Sequence, residues 1–400
     1  MKKRGSIILI SSVISLSLLI MLAMGAFNKR QYLKPANPGG NGQVSSFPGE
    51  FDKQQAIWMQ WPSEVYNAGD RPVNKVMIEI IKAFGPYIRV NLISQSPEQT
   101  SQVKNLLATN GYSGSNVHYY NINHFSMWAR DVGPIFIKDN QNKLSVVNFG
   151  FNNYGRDGNQ NYIDVEGQVD KLTAQLLGLP VIGTNLVTEG GAIESNGRGT
   201  MMTTESVVLS RNPGMTKQQI EDEYKRVLGI SKVIWLKKGL AEDDQTTTGH
   251  INEIARFASP NTILLAQVLP ADRYANSSSA ASYQRLEENY KILANSTDQD
   301  GKPFRIIRIP MPPTLYAESN KTGEVPVRSY LNYAVTNGAV LTQTYWKQGR
   351  SDSLKTTEDQ VKGIFQSVFP GRKIIEIDAE NVNLWGGGIH CITQHMPAGE

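Results

Sequence analysis

A mixed α/β chain built from repeated hairpin, helix and strand units is the fold class the sequence predicts, and three observations predict it. Of 400 residues, 40% are apolar and 19% charged, with 35 glycines, the balance of a globular α/β protein rich in turns. Pairs of β-prone arms around short turn signals recur along the chain. Each pair is followed by an amphipathic helical stretch and a short β-branched run, at intervals of about 50 to 75 residues, and a period of that size marks an array or ring of equivalent modules.

Taken in order, Lys2, Lys3 and Arg4 precede an apolar run from about Ser6 to Phe27, the pattern of an export signal. Residues 1–30 are expected to act as a signal peptide, or as a membrane anchor if retained. The protein is then secreted, periplasmic or held at the outer face of the cytoplasmic membrane. Residues 31–47, rich in Gly, Pro, Asn and Ser, read as a flexible linker, and residues 48–400 as the folded body. Helix and strand pairs are expected at Val73–Phe84 with Ile88–Ile93 and at Glu98–Leu107 with Val117–Ile122. Hairpins follow at Gly133–Phe149, Ala192–Leu209, Ile251–Val268 and Asn332–Tyr345, turning at Asp139–Asn142, Asn196-Gly197, Pro260-Asn261 and Asn337-Gly338. Three- and four-residue apolar spacing predicts helices at Asp164–Leu177, Thr216–Leu228, Ala281–Ala294 and Thr356–Val368, with Thr216 and Thr357 as N-caps. Strands close the units at Val181-Ile182, Val233–Trp235, Ile306–Ile309 and Ile374–Ile377.

Composition also excludes. The net charge of +4 is spread, with no basic stripe to release counterions, so nucleic acid is not an expected partner. Cys391 is the one cysteine, so no intramolecular disulfide can form. It follows Gly386, Gly387 and Gly388, which let backbone or ligand approach closely. A reactive residue stands near the start of successive hairpins: Asp131, Glu189, His250, the segment around Asn332, and Cys391. Modules related by rotation would bring these positions together at the centre.

A thiol, an imidazole and two carboxylates in one pocket suit covalent catalysis on a planar cation. Carboxylates accept the forked donors of a guanidinium, sulfur attacks its central carbon, and histidine moves the protons. Such chemistry needs no cofactor. His390, Cys391 and His395 lack the four-ligand set of a structural zinc site, so no metal is expected.

Trp58-Met-Gln-Trp-Pro62, Met127-Trp-Ala-Arg-Asp-Val-Gly-Pro134, Phe149–Gly155, Glu189-Gly-Gly191, Gly249-His250 and Gly387-Gly-Ile-His-Cys-Ile-Thr-Gln394 occur in one order. That series resembles the agmatine deiminase and bacterial peptidyl-arginine deiminase family, from Ile57 almost to Pro397. The resemblance implies the pentein fold, a five-bladed α/β propeller of pseudo-five-fold hairpin, helix and strand modules. It also implies that Cys391 is the nucleophile, that His250 is the acid and base, and that Glu189 orients His250 or contacts the guanidinium, while Asp131 is a substrate carboxylate. Trp61, Trp128, Arg130, Asn252 and Gly388 are the further expected substrate contacts.

The reaction so implied turns a guanidino group into a ureido group with loss of ammonia, through a thiouronium on Cys391. Agmatine would give N-carbamoylputrescine, a step toward putrescine; an arginine held in a peptide is the alternative substrate. One position departs from the family, which has His-x-Asp where this chain reads His250-Ile251-Asn252. An amide brings no charge to a cation, so a silent guanidine-binding or cationic-peptide-binding protein is the rival reading, and Asn252→Asp is expected to raise turnover. Glu253 is next in sequence, but on a strand it would face away.

Overall fold

The computed structural model describes residues 44–69, 71–112, 115–313 and 326–399. The signal and most of the linker, expected over residues 1–47, therefore lie outside the described residues. Five small sheets make up the body. Each holds an antiparallel pair joined, through helix, to a parallel third strand.

In four of the sheets the pair comes from one hairpin. Ile135–Asp139 and Leu144–Gly150 are followed by Val181–Val187; Ile193–Ser195 and Thr200–Thr204 by Lys232–Leu236; Ala255–Ser259 and Thr262–Gln267 by Arg305–Pro310; Ala334–Val335 and Ala339–Gln343 by Lys373–Ile377. The fifth sheet joins the two ends of the fold. Gln394–Pro397 pairs antiparallel with Gln54–Gln60, which pairs parallel with Arg89–Ser94 across the helix Val73–Phe84. Val117–Asn121 adds an outer parallel strand to that sheet, and Val44–Ser46 edges the strand Ile135–Asp139. Five repeats thus form a closed α/β propeller.

The helices follow their apolar spacing. Val73, Val76, Met77, Ile80, Ile81 and Phe84 recur every three or four residues and are all buried. Thr216 caps Lys217–Leu228 through a capping box with Gln219, and Gly229 ends that helix at φ +68°. Two expectations are corrected. Asp352–Val368 begins earlier than predicted, with Ser351 as its cap, so Thr357 lies inside the helix and its hydroxyl donates to the Ser353 carbonyl. Asp164–Leu177 is two helices, Gln160–Glu166 and Val169–Leu177. The break follows Glu166, which turns inward to accept from Phe125 N, Ser126 N and Ser126 Oγ.

What positions the site is the set of short turns that open successive modules. Ala129–Val132 packs on Gly190–Ala192, which packs on Ile251–Glu253. The last of these, expected as the start of a strand, is a 3-10 turn.

Candidate active site

Asp131 sits in the short helix Ala129–Val132, where its Oδ1 accepts from Gly191 N at 3.1 Å and its Oδ2 from Tyr154 Oη at 3.0 Å. Glu189 precedes Gly190 and Gly191, and both glycines are required by close approach. A Cβ on Gly190 would fall 2.1 Å from the Arg130 carbonyl oxygen, and one on Gly191 would fall 2.5 Å from His250 Nδ1. His250 then lies between two acids, with Nε2 3.4 Å from Glu189 Oε2 and Nδ1 3.8 Å from Asp131 Oδ1.

Charge inside this cluster is compensated locally. Arg211 Nε donates to Glu189 Oε1 at 2.7 Å, and its other nitrogens hold Thr247 O and Thr248 Oγ1. Burial raises the Glu189 carboxyl, but hydrogen bonding to His250 and the Arg211 charge outweigh it and leave the group below its usual range. Burial lowers His250, yet Asp131 and Glu189 overcome that and hold the imidazole above its ordinary value. Burial dominates at Asp131, which is raised. The two acids thus favour the protonated form of the imidazole seated between them.

The thiol lies beside the turn Ile251–Glu253. Cys391 is 5% exposed, and Asn332 Nδ2 donates to its Sγ at 3.1 Å while Asn252 Nδ2 reaches it at 3.6 Å. Sγ is 3.8 Å from Glu253 Oε1, to which Asn332 Nδ2 also donates. Asn332 Oδ1 accepts from His390 N at 2.7 Å, so this one amide holds both the cysteine loop and the sulfur. A Cβ on Gly387 would lie 3.1 Å from Sγ and 2.7 Å from the Trp128 ring, leaving room there only for glycine. Burial, then Glu253 and Asp131, push the thiol well above its ordinary pKa. The fields of Glu253 and Asp131 both reach the sulfur, although no hydrogen bond joins it to His250 among the described residues.

Of the residues expected at the site, Cys391, His250, Glu189, Asp131 and Asn252 converge, and Trp128 packs beside Gly387. Arg130 is corrected. Its guanidinium points away from Asp131, with NH1 2.5 Å from Glu50 Oε1 and NH2 2.7 Å from His395 Nδ1, so its charge is spent on an internal ion pair. Gly388 is corrected too, since a Cβ there would meet Asn332 Oδ1 and Gln343 Nε2, each at 2.7 Å. It admits the Asn332 side chain and makes no surface for a ligand. Trp61 is buried in the apolar cluster that also holds Trp128 and Cys391, as core.

Residues the sequence left unassigned include Glu253 and Arg211, together with Glu50, which receives Arg130, Arg256 and His390. Glu50, His390 and His395 lie close enough to suggest a cation site. Their ligand atoms are already engaged. His390 Nε2 donates to Glu50 and its Nδ1 accepts from Asn252, while His395 Nδ1 meets Arg130 and its Nε2 meets Val335 O. Two guanidiniums on the same carboxylate make the cluster hostile to a metal ion. A cavity of about 460 Å³ is bordered by Glu242, Gln245, Thr246, Ser277, Trp385 and Gly386, the last preceding Gly387 in sequence.

A family model described as Porphyromonas-type peptidyl-arginine deiminase matches residues 46–397. A Streptococcus mutans protein with a provisional agmatine deiminase name is 32% identical over 372 residues, covering 88% of this chain and 95% of that one. An agmatine deiminase of Medicago truncatula is 28% identical over 380 residues, 88% of this chain and 96% of its own. Among solved structures, an agmatine deiminase of Enterococcus faecalis superposes with TM-score 0.77 at 25% identity, covering 91% of this chain and 99% of that one.

Proposed function

The chain belongs to the Porphyromonas-type peptidyl-arginine deiminase family, and from that premise we propose that it is a hydrolase of the guanidino C–N bond whose substrate is agmatine. The observation that carries this reading is the meeting of Cys391, His250, Asp131 and Glu189 in one buried cluster. The agmatine deiminase names of the relatives favour the small diamine derivative. So does burial of the reacting groups, with Cys391 5%, His250 1% and Asp131 8% exposed, which suits a thin substrate.

The order of events follows from the charges. A guanidinium entering between Asp131 and the thiol replaces the lost hydration of both and offsets the negative field that keeps sulfur protonated, so the thiol proton leaves to solvent as the cation seats. Sulfur then bonds to the central carbon. His250, protonated between its two acids, gives its proton to one amino nitrogen; the C–N bond breaks and ammonia departs, leaving a thiouronium on Cys391. Now neutral, His250 takes a proton from water as that water attacks the same carbon. The C–S bond breaks as the remaining hydroxyl proton passes to sulfur, releasing the ureido product and the free cysteine.

Ammonia release from agmatine and from an arginine peptide, measured on the purified chain and on Cys391→Ala, tests the reading. Turnover of agmatine by the wild type is expected, with a loss on the order of 10⁴-fold or more in the variant. Release from the peptide alone would reassign the substrate. No release from either, with equal binding of both by the two proteins, would establish the silent binding protein.

We infer further that residues 1–30 direct export, supported by Lys2, Lys3 and Arg4 ahead of the apolar run. A fusion of residues 1–47 to an enzyme active only outside the cytoplasm is expected to be active. The mass of the mature chain separates a cleaved signal from a retained anchor.

A further inference from the structure

Two buried side-chain oxygens without a hydrogen-bond partner belong to one turn, Asn252 Oδ1 and Glu253 Oε2. Leaving a buried acceptor unpaired is costly, and two on adjacent residues call for donors from outside the chain. A guanidinium carries such donors in a fixed fork. Resting on the deiminase reading, we propose that Glu253 is the second guanidinium-binding carboxylate of this site, standing in for the aspartate that the family carries at position 252.

Local backbone geometry makes this possible. On a strand, residues 252 and 253 would point to opposite faces, but in the 3-10 turn Ile251–Glu253 successive side chains are only about 120° apart. Both therefore reach the sulfur, Asn252 Nδ2 at 3.6 Å and Glu253 Oε1 at 3.8 Å. Asn332 Nδ2 holds Glu253 Oε1 and leaves Oε2 open.

Asn252 cannot supply the charge, and its neighbours explain why it is an amide. His390 Nε2 lies 2.9 Å from both oxygens of Glu50 and must donate to them. Burial, with Arg130 and Arg256 nearby, keeps His390 neutral, so its Nδ1 is an acceptor. The group facing that nitrogen at 2.9 Å must then be a donor, which Asn252 Nδ2 is and an ionised aspartate is not.

Glu253 is correspondingly poised. Burial and Asp243 raise its carboxyl to about 8, opposed by Asn332, His250 and the Cys391 thiol, with Tyr345 the other titratable group beside it. A bound cation favours the ionised acid, so binding at neutral pH expels a proton.

Calorimetric titration of agmatine into full-length Cys391→Ala separates binding from turnover. Affinity is expected to rise up to about tenfold per pH unit below pH 8. Adding Glu253→Gln is expected to flatten that slope and to weaken binding by about 10- to 100-fold. In the active enzyme the same change is expected to lower kcat/KM by about 10- to 100-fold, with partial recovery in Glu253→Asp. A Glu253→Gln protein within threefold of its parent in affinity and kcat/KM, or one that keeps the pH slope, overturns the assignment, as does absence of agmatine binding by Cys391→Ala. Failure of the wild type to release ammonia overturns the deiminase reading instead, and the titration still decides the role of Glu253.

Folding does not confound the test. With its folded pKa raised, Glu253 binds a proton that the unfolded chain has already lost, so its contribution to stability falls as pH rises from the ordinary carboxylate range to about 8. Glu253→Gln is therefore expected to be at least as stable as the wild type at pH 8.5.

Discussion

At the scale of single residues, the departure at position 252 decides how the site is read. The sequence makes Asn252 a missing charge; its contacts make it the donor that a neutral His390 requires. The expectation for Asn252→Asp accordingly reverses. A carboxylate there would face the His390 lone pair and add a third negative neighbour to a thiol already raised by Glu253 and Asp131. We expect kcat/KM to fall about tenfold at neutral pH, with the optimum displaced upward, and a pH–rate profile of the variant checks both. Cys391, His250, Asp131 and Glu189 were legible because motif order names them. Glu253 was not, because its availability depends on the backbone changing from a two-residue to a three-residue period. Arg130 was misread because adjacency to Asp131 says nothing of which way a long side chain runs.

At the scale of elements, the loop before His250 does the positioning. Asp243 Oδ2 accepts from Gly249 N at 3.1 Å and His250 N at 2.9 Å, and the chain reaches that geometry through Thr248 at φ +67° and Gly249 at φ +110°. A Cβ on Gly249 would stand 2.6 Å from Gly239 N. Gly249→Ala is therefore expected to cost about 1–3 kcal/mol of stability. By displacing the imidazole it should also lower kcat about 100-fold, more than it changes KM; thermal denaturation and steady-state kinetics measure the two effects. The buried pair of Arg211 and Glu189 supports the same imidazole from below. Arg211→Leu would leave an uncompensated buried acid, at roughly 3–5 kcal/mol by chemical denaturation. Helices and hairpins were legible from apolar spacing and turn residues, as Val73–Phe84 and the Asn337-Gly338 turn show. The loop was not, since nothing local announces that the Asp243 carboxylate reaches forward to backbone or hydroxyl groups of Thr246, Thr247, Gly249 and His250.

At the scale of the molecule, residues beside the reactive ones turn the other way and meet on Glu50. Arg130 precedes Asp131, His390 precedes Cys391, and Arg256 is the second residue of the strand Ala255–Ser259 that follows the His250 turn; all three contact that one carboxylate. Burial raises Glu50, but its cationic neighbours hold it well below the usual carboxylate range. Its stabilisation is thus complete above the ordinary carboxylate pKa and disappears only as pH falls through the lower folded value. Glu50→Gln should cost roughly 3–5 kcal/mol near neutrality, and the gap from wild type should close in acid, which a pH series of denaturant melts would reveal. The propeller itself was legible from the repeat, whereas this hub was not, because Glu50 lies before the first repeated unit.

Closure of the fifth sheet by Gln394–Pro397 against Gln54–Gln60 has a consequence for biosynthesis. Chains grow from the N-terminus, so a ribosome must finish nearly all of its message before Cys391 and the closing strand exist. Until then the edge of Gln54–Gln60 stands open to other strands, and a nascent or prematurely stopped product is both inert and prone to stick.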